Sequence, residues 1–334
     1  MLLKTRRTGR DKCNLPIEMD VEKKTGSKPV VNLAYFHQIA SMVKVLFKMA
    51  RPTQLLVIIL VYIYGSLVAR AHGISFDLVA FLFGLAVVLP VSASIHYANE
   101  YADHETDSLT TRTPFSGGSG ALPESGLSPV VALKAAWIAL IAGGFLGLLG
   151  WSWAIMSPAA LAVLLWGAFW GWMYSLRPMT LAWRGWGELD NAMLGGVALP
   201  VYAYVVQAGQ LDWRAVLIFI PFGMLAFVNL LATTWADRQA DATVGKMTLA
   251  TRWSKTQLWL LYLVAAASAF LFLLLFQGFL FPQVVVRYSF LVLPVLIWGF
   301  LVYTRQHSPF PTVAAMTLFL LLQIAAWGIT IPPG

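Results

Sequence analysis

Leu258–Phe276 reads LWLLYLVAAASAFLFLLLF, 19 residues with no charge, no proline and no glycine. Wound as an α-helix it is about 28 Å long, close to the roughly 30 Å hydrocarbon core of a bilayer. Only helices or closed barrels satisfy the backbone in lipid. A barrel strand would alternate over about 10 residues, and this run does not. Working outward from this run (256–277), eight further apolar runs lie at about 53–70, 77–99, 130–149, 152–174, 189–208, 214–235, 284–304 and 310–330. The expectation is an all-α membrane protein with nine transmembrane helices in one bundle. Composition agrees: 59% of the 334 residues are hydrophobic and only 11% charged, against about a quarter charged in a soluble domain. Mean hydropathy is +0.71.

The links between runs are short, so residues 51–334 are expected to form a single integral domain. Residues 1–30 are polar and basic with no apolar core, which predicts a disordered tail and no signal peptide. Over 31–50, Leu33, Phe36, Ala40, Val43 and Phe47 recur at helical spacing, with His37, Ser41, Lys44 and Lys48 on another face. That pattern predicts an amphipathic helix lying in the membrane interface. With nine spans, 20 of the 23 Lys and Arg fall on the N-terminal side and three on the other. The positive-inside rule places the N-terminus in the cytoplasm. The net charge of +8 is then largely a topology signal and gives no reason to invoke nucleic acid. The single Cys13 excludes an internal disulfide and a cysteine metal cluster.

Two acidic clusters break the apolar pattern. The second run ends in NEYADHETD, Asn99–Asp107, with four carboxylates in nine residues. Asn99, Asp103 and Asp107 are spaced by four and lie on one helical stripe. The sixth run ends in TTWADRQADATVGKMTLATR, where Asp237 and Asp241 repeat that spacing and Asn229 and Thr233 extend the stripe. Each cluster precedes a loop with basic residues, and the matched placement four spans apart hints at an internal repeat. Carboxylates at a helix C-terminus oppose the macrodipole, and like charges at i,i+4 repel. Accepting both penalties twice points to a bound cation. All-oxygen ligands favour Mg²⁺ or Ca²⁺, and two Asp clusters with loop Lys and Arg suit a Mg²⁺–diphosphate site.

These residues resemble the UbiA superfamily of intramembrane prenyltransferases, whose motifs run N-D-x-x-D-x-x-x-D and D-x-x-x-D. Asn99, Asp103 and Asp107 match the first, and Asp237 and Asp241 the second. Arg51-Pro52 resembles the family's Arg-Pro before helix 1. Gly245, Lys246 and Thr248-Leu249 resemble the segment after the second motif. Glu100 stands where the family has Asp, and Thr233 where close relatives often have Asn. YSLRPMTLAWRGWGELDNAMLGG, Tyr174–Gly196, resembles the branch that prenylates 1,4-dihydroxy-2-naphthoate in menaquinone biosynthesis, with Arg177 in place of a proline.

The resemblance implies Mg²⁺-dependent transfer of an isoprenyl chain from its diphosphate to an aromatic acceptor in the bilayer. It implies Asn99, Glu100, Asp103, Asp107, Asp237 and Asp241 as metal ligands, and Lys246 and the four Asp as catalytic groups. Arg51, Arg112, Arg177, Arg252, Asn99, Tyr101 and Tyr174 would bind substrate. Tyr97, Trp235, His96 and His104 are further candidates near the same ends. The ionised allylic chain must be shielded from water, and its apolar tail suits a lateral opening to lipid. Other acceptors (homogentisate, 4-hydroxybenzoate, chlorophyllide, haem, a glycerol phosphate lipid) remain open. So does a cation transporter, although both clusters lie at one membrane face rather than at the midplane.

Overall fold

The computed structural model describes residues 33–331, so the tail expected over 1–30 lies outside the described residues. The chain divides at Ser41/Met42. Of the first unit, the described part is the helical segment from Leu33 to Ser41. The second unit holds everything that follows. Among the described residues fifteen α-helices appear in chain order: α1 Leu33–Met49, α2 Pro52–Ala71, α3 Leu78–Ala102, α4 His104–Leu109, α5 Ala121–Ser125, α6 Val130–Ser152, α7 Pro158–Ser175, α8 Gly187–Met193, α9 Leu199–Ala208, α10 Trp213–Thr243, α11 Leu249–Arg252, α12 Lys255–Leu275, α13 Gln283–Phe290, α14 Leu293–Val302 and α15 Phe310–Ile329. A π-turn, Leu194–Ala198, joins α8 to α9.

Local chemistry sets the helix starts. Asp77 and Ser157 accept the backbone N–H of Ala80 and Ala160, and Pro158 follows as a pre-formed first residue. Ser254 and Gln257 form a capping box at α12.

Eight helical segments among the described residues are long and apolar enough to cross a membrane. The expected span at 152–174 corresponds to α7, 18 residues containing three tryptophans and lying outside that set. The span expected at 284–304 is broken into α13 and α14, with Pro294 restarting the helix. That expected at 189–208 carries the π-turn.

The packing is that of a protein in lipid. Ile138, Ile141 and Phe145 face outward on α6, while polar groups turn inward and pair. Tyr62 donates to the Phe81 carbonyl, Tyr202 to that of Gly84 and Tyr262 to that of Leu296. Gln323 donates to Ser289 at 2.7 Å. An unpaired polar group would cost several kcal/mol in hydrocarbon. Helices approach closely where a residue lacks a side chain. A methyl group on Gly65 of α2 would run into the Pro200 carbonyl of α9. Gly196 in the π-turn likewise sits against the backbone of Gly223 in α10.

Gly65→Ala should therefore destabilise by about 1–3 kcal/mol through overpacking. Gly144→Ala, whose Cβ would meet no atom within 4 Å, should be neutral or slightly stabilising. Thermal unfolding in detergent checks the pair, and equal midpoints would refute the packing argument.

Candidate functional site

The first acidic stripe is expected to continue α3 without interruption. Instead α3 ends at Ala102, and Asp103 (φ −98°, ψ 7°) marks a break before α4. The stripe survives because the hydrogen bonds do. Asp103 N–H donates to the Asn99 carbonyl at 2.9 Å and Asp107 N–H to that of Asp103 at 2.8 Å. Asp103 and Asp107 are buried, as is Asp241 on α10. With Asp237 they line one cavity of about 930 Å³.

Lys246 joins the two clusters. α10 ends at Thr243, and Gly245 takes a left-handed conformation (φ +78°) that turns the chain back. Lys246 N–H then donates to the Asp241 carbonyl at 2.8 Å. Its ammonium reaches across to Asp103 Oδ2 at 2.8 Å and stands 3.7 Å from Asp241 Oδ1. Burial would lower the Lys246 pKa, but Asp103 and Asp241 hold it above its ordinary value.

Arg51 and Glu100 form a second buried pair. Arg51 sits in the left-handed region (φ 55°, ψ 67°) before Pro52, a conformation that costs a non-glycine residue energy. Its Nε and Nη2 donate to Glu100 Oε1 at 2.9 and 2.7 Å. Burial works against its charge, but Glu100, then Asp107, keeps its pKa raised. Asn99 couples this pair to the acids: its amide oxygen accepts Arg51 Nη2 at 3.0 Å, and its amide nitrogen donates to Asp103 Oδ2 at 3.0 Å. Glu100, 1% exposed, also accepts Ser119 N–H at 3.0 Å and Ser119 Oγ at 2.6 Å. Glu100 therefore clamps α2, α3 and the loop after α4 together, with its oxygens engaged by protein donors.

That loop is a strap over the site. Gly117 N–H donates to Asp237 Oδ2 at 3.2 Å. Gly118, at φ +67°, lies so close to the Asp107 carboxylate that a Cβ would collide with it. Arg112 lines the cavity and is held by Glu124 at 2.6 Å. Tyr174 lines it too. Arg177 and Arg252 are exposed and do not line the cavity, and Arg252 donates instead to the Arg184 carbonyl. Tyr101 points outward. Trp235 stacks under Arg238 at 3.7 Å, away from the cavity, and Tyr97 donates to the Leu46 carbonyl. His96 lines the cavity with Nδ1 on the Ala50 carbonyl at 2.8 Å, whereas His104 does not line it.

Sequence reasoning passed over two contributors. Glu188, buried on α8, accepts Leu249 N–H at 2.9 Å and so anchors the start of α11. Its signal was present in the Arg-Gly-x-Gly-Glu pattern, as an acid in an apolar segment. Ser119 had no signal, because its partner Glu100 lies 19 residues away.

The arrangement fits a divalent cation. Asp103 Oδ1, Asp237 Oδ1 and Asp241 Oδ1 are buried without a hydrogen-bond partner, which is costly for carboxylate oxygens. Among the described residues, no three Asp, Glu, His or Cys gather tightly enough to hold an ion unaided. Mg²⁺ needs only one or two carboxylates when water and phosphate oxygens complete its octahedron.

Asp107 outside the spans shows the excess of negative charge. Burial, then Asp103, raises its pKa to about 7. Ionising it therefore opposes folding, increasingly as pH rises from the ordinary carboxylate range to 7. In EDTA, Asp107→Asn should raise the thermal midpoint more at pH 8 than at pH 5. A gain independent of pH would contradict the assignment. For the clamp, Arg51→Ala strands Glu100 and should cost about 3–5 kcal/mol, more than the Arg51→Ala/Glu100→Ala double variant. Chemical denaturation in mixed micelles checks this, and additive costs would refute the coupling.

Residues 57–322 match the model of the UbiA prenyltransferase family. A 1,4-dihydroxy-2-naphthoate octaprenyltransferase of Bacillus subtilis (strain 168) is 27% identical over 211 residues, covering 63% of this chain and 66% of the relative. The Mycobacterium tuberculosis protein of that name is 29% identical over 199 residues, 58% of this chain and 65% of the relative. The chain thus spans just under two thirds of the length of these curated relatives. Among solved structures, a digeranylgeranylglyceryl phosphate synthase superposes with TM-score 0.62 at 16% identity, over 86% of this chain and 99% of that one. A UbiA homolog from Archaeoglobus fulgidus bound to GPP and Mg²⁺ gives 0.56 at 18% identity, over 86% and 99%. At such identities these structures establish the fold alone.

Proposed function

We propose that this chain, which belongs to the UbiA prenyltransferase family and is an integral multi-pass membrane protein, transfers an isoprenyl group from isoprenyl diphosphate to an aromatic acceptor. One observation carries the proposal: two acidic clusters with three unpartnered buried oxygens face Lys246 and Arg51 at the mouth of a large apolar cavity. The acceptor we favour is 1,4-dihydroxy-2-naphthoate, in menaquinone biosynthesis. The names of the curated relatives support that choice, as does the Tyr174–Gly196 pattern.

Asp103, Asp107, Asp237 and Asp241 would hold Mg²⁺. When bound, the metal supplies positive charge to the diphosphate as it leaves. The chain's own groups do the rest. Lys246 and Arg51 sit where the leaving group's charge would develop, Arg51 fixed in advance by Glu100. Asn99 orients Arg51 and Asp103 rather than offering its oxygen to a metal. Glu100 holds Arg51 and the Ser119 strap. The apolar walls, among them Ile95, Val91 and Leu164, exclude water from the allylic cation. Tyr174, which also lines the cavity, would offer its ring to that charge.

We place the site and the N-terminus on the cytoplasmic side, on the strength of the Lys and Arg asymmetry. Residues 51–334 form the catalytic domain in this reading. Residues 31–50 act as an interfacial helix, supported by Val43 and Phe47, 57% and 64% exposed on α1. No separate role is assigned to Arg177, Arg252 or Tyr101.

The test uses the purified protein in nanodiscs with geranylgeranyl diphosphate and 1,4-dihydroxy-2-naphthoate, with Mg²⁺ or EDTA, read by mass. A Mg²⁺-dependent prenylated naphthoquinol is expected. Asp103→Ala and Asp237→Ala should each lower its rate roughly 100-fold or more. Diphosphate release without that product would remove the acceptor but keep the transfer. No Mg²⁺-dependent release from prenyl diphosphates of any length would remove the prenyltransferase reading.

A further inference from the structure

Cations near the acidic end of the bundle fall into two groups. Lys48, Arg51, Arg112 and Lys246 pair with Glu124, Glu100, Asp103 or Asp241. Arg238 on α10, Lys255 at the start of α12 and Arg305 after α14 pair with no carboxylate among the described residues. They lie over indole rings instead. Arg238 stands 3.7 Å and Lys255 5.8 Å from the centre of the Trp235 ring, and Arg305 5.0 Å from that of Trp259. The nearest acids in sequence, Asp237 and Asp241, are taken up elsewhere, by Gly117 N–H and beside Lys246.

The rings belong to one connected cluster. Trp235 meets Tyr303 edge-on at 6.3 Å, and Tyr303 meets Tyr262 at 5.4 Å. Phe300 continues the chain of rings, 5.5 Å from Tyr262 and 5.4 Å from Trp259. Trp259 Nε1 donates to the Tyr303 carbonyl at 3.0 Å and to Thr304 Oγ1 at 2.8 Å. Thr304 is left-handed (φ 63°), a costly conformation for a β-branched residue, and it makes the turn on which Arg305 meets Trp259. Three elements distant in sequence thus bring cations to one aromatic cluster. A bias of Lys and Arg toward one membrane face explains the sign of these charges but not their convergence.

Depth says which anion the cluster suits. Lys255 precedes the charge-free run Leu258–Phe276 by three residues. Arg305 follows the end of the apolar α14 at Val302 by three. Both are then about 5 Å along the chain axis from the hydrocarbon edge, the level of lipid phosphates. Indole rings favour the same level. Lys255 and Arg305 are exposed and Arg238 half-buried, so a headgroup in the surrounding leaflet can reach all three. We infer that this cluster is a binding site for an anionic phospholipid, whose headgroup phosphate is held by Arg238, Lys255 and Arg305 beside Trp235 and Trp259. The site lies outside the cavity and does not depend on the reaction proposed above.

The experiment takes the full chain in neutral detergent micelles and titrates phosphatidylglycerol or phosphatidylcholine of equal chain length, with bound lipid counted by native mass spectrometry. Phosphatidylglycerol should bind about tenfold or more tighter than phosphatidylcholine. Arg238→Gln, Lys255→Gln and Arg305→Gln should each weaken it about fivefold, and the triple variant about 100-fold. Arg305→Lys, which keeps the charge, should lose about twofold at most. Lys134→Gln removes an exposed cation on α6 and should change nothing. Inorganic phosphate at equal concentration should not displace the lipid, because the acyl chains contribute to its binding. Equal binding of the two lipids would overturn the inference. So would a preference that survives in the triple variant, or an equal loss in Lys134→Gln, which would mean net charge rather than a site. Displacement by inorganic phosphate would overturn the lipid as occupant. Should the triple variant not fold, the single variants decide, and an undiminished preference in all three overturns the site.

Discussion

The arrangement depends on an imbalance of buried charge. Glu100, Asp103, Asp107, Glu188, Asp237 and Asp241 converge at one end of the bundle against Arg51, Arg112 and Lys246. Glu100 is neutralised by Arg51, and Lys246 is shared between Asp103 and Asp241. What remains is net negative, poorly solvated and partly without donors. Such a cluster is tolerable only if held rigidly by the backbone and open to an incoming cation. The break at Asp103, the strap over Asp237 and the Gly245 turn all serve that geometry.

The scaffold is built to resist collapse of this end. α3 and α10 point their C-termini at the acids, so their macrodipoles add to the repulsion. The compensation comes from elements distant in sequence: Arg51 before α2, Ser119 and Gly117 from the strap, and Lys246 after α10. Each is placed by a local backbone device. Arg51 takes a left-handed turn ahead of Pro52, the strap uses glycines at positive φ, and Gly245 reverses the chain. Removing any one of these devices leaves a carboxylate without its partner rather than merely loosening a loop.

Much of this was legible in the chain. The apolar runs, the i,i+4 acidic stripes and Lys246 on its glycine turn are local patterns, and local patterns transfer to structure. What was not legible depends on distance. Glu100 and Asp103 are both acids in one motif, and nothing nearby says that one clamps while the other keeps a free oxygen. Arg51, 49 residues upstream of Glu100, decides it. Arg177 and Arg252 read as site cations because they flank matching motifs, yet both are exposed, Arg252 at the end of α11. The π-turn hides in LGGVA, where two adjacent glycines signal close packing equally well. Only the partners, Gly223 for Gly196 and open space for Gly195, tell them apart.

Lys246 links the resting arrangement to the proposed reaction. It is an internal counter-ion, bonded to Asp103 and close to Asp241. In the proposed reaction those same carboxylates would face a metal, so the ammonium would have to give them up to the substrate complex. It need not travel far, because the diphosphate it would then meet occupies the same mouth of the cavity. The charge it would lose from the acids it would regain from phosphate oxygens, so that it would never be buried without an anion. A lysine suits this exchange better than an arginine: its compact charge on a flexible stem can turn between partners, whereas a guanidinium fork fits one planar partner best. Arg51, by contrast, holds a planar carboxylate from a fixed backbone position and stays with it. The site therefore divides its cations by chemistry, one to remain in place and one to change partners.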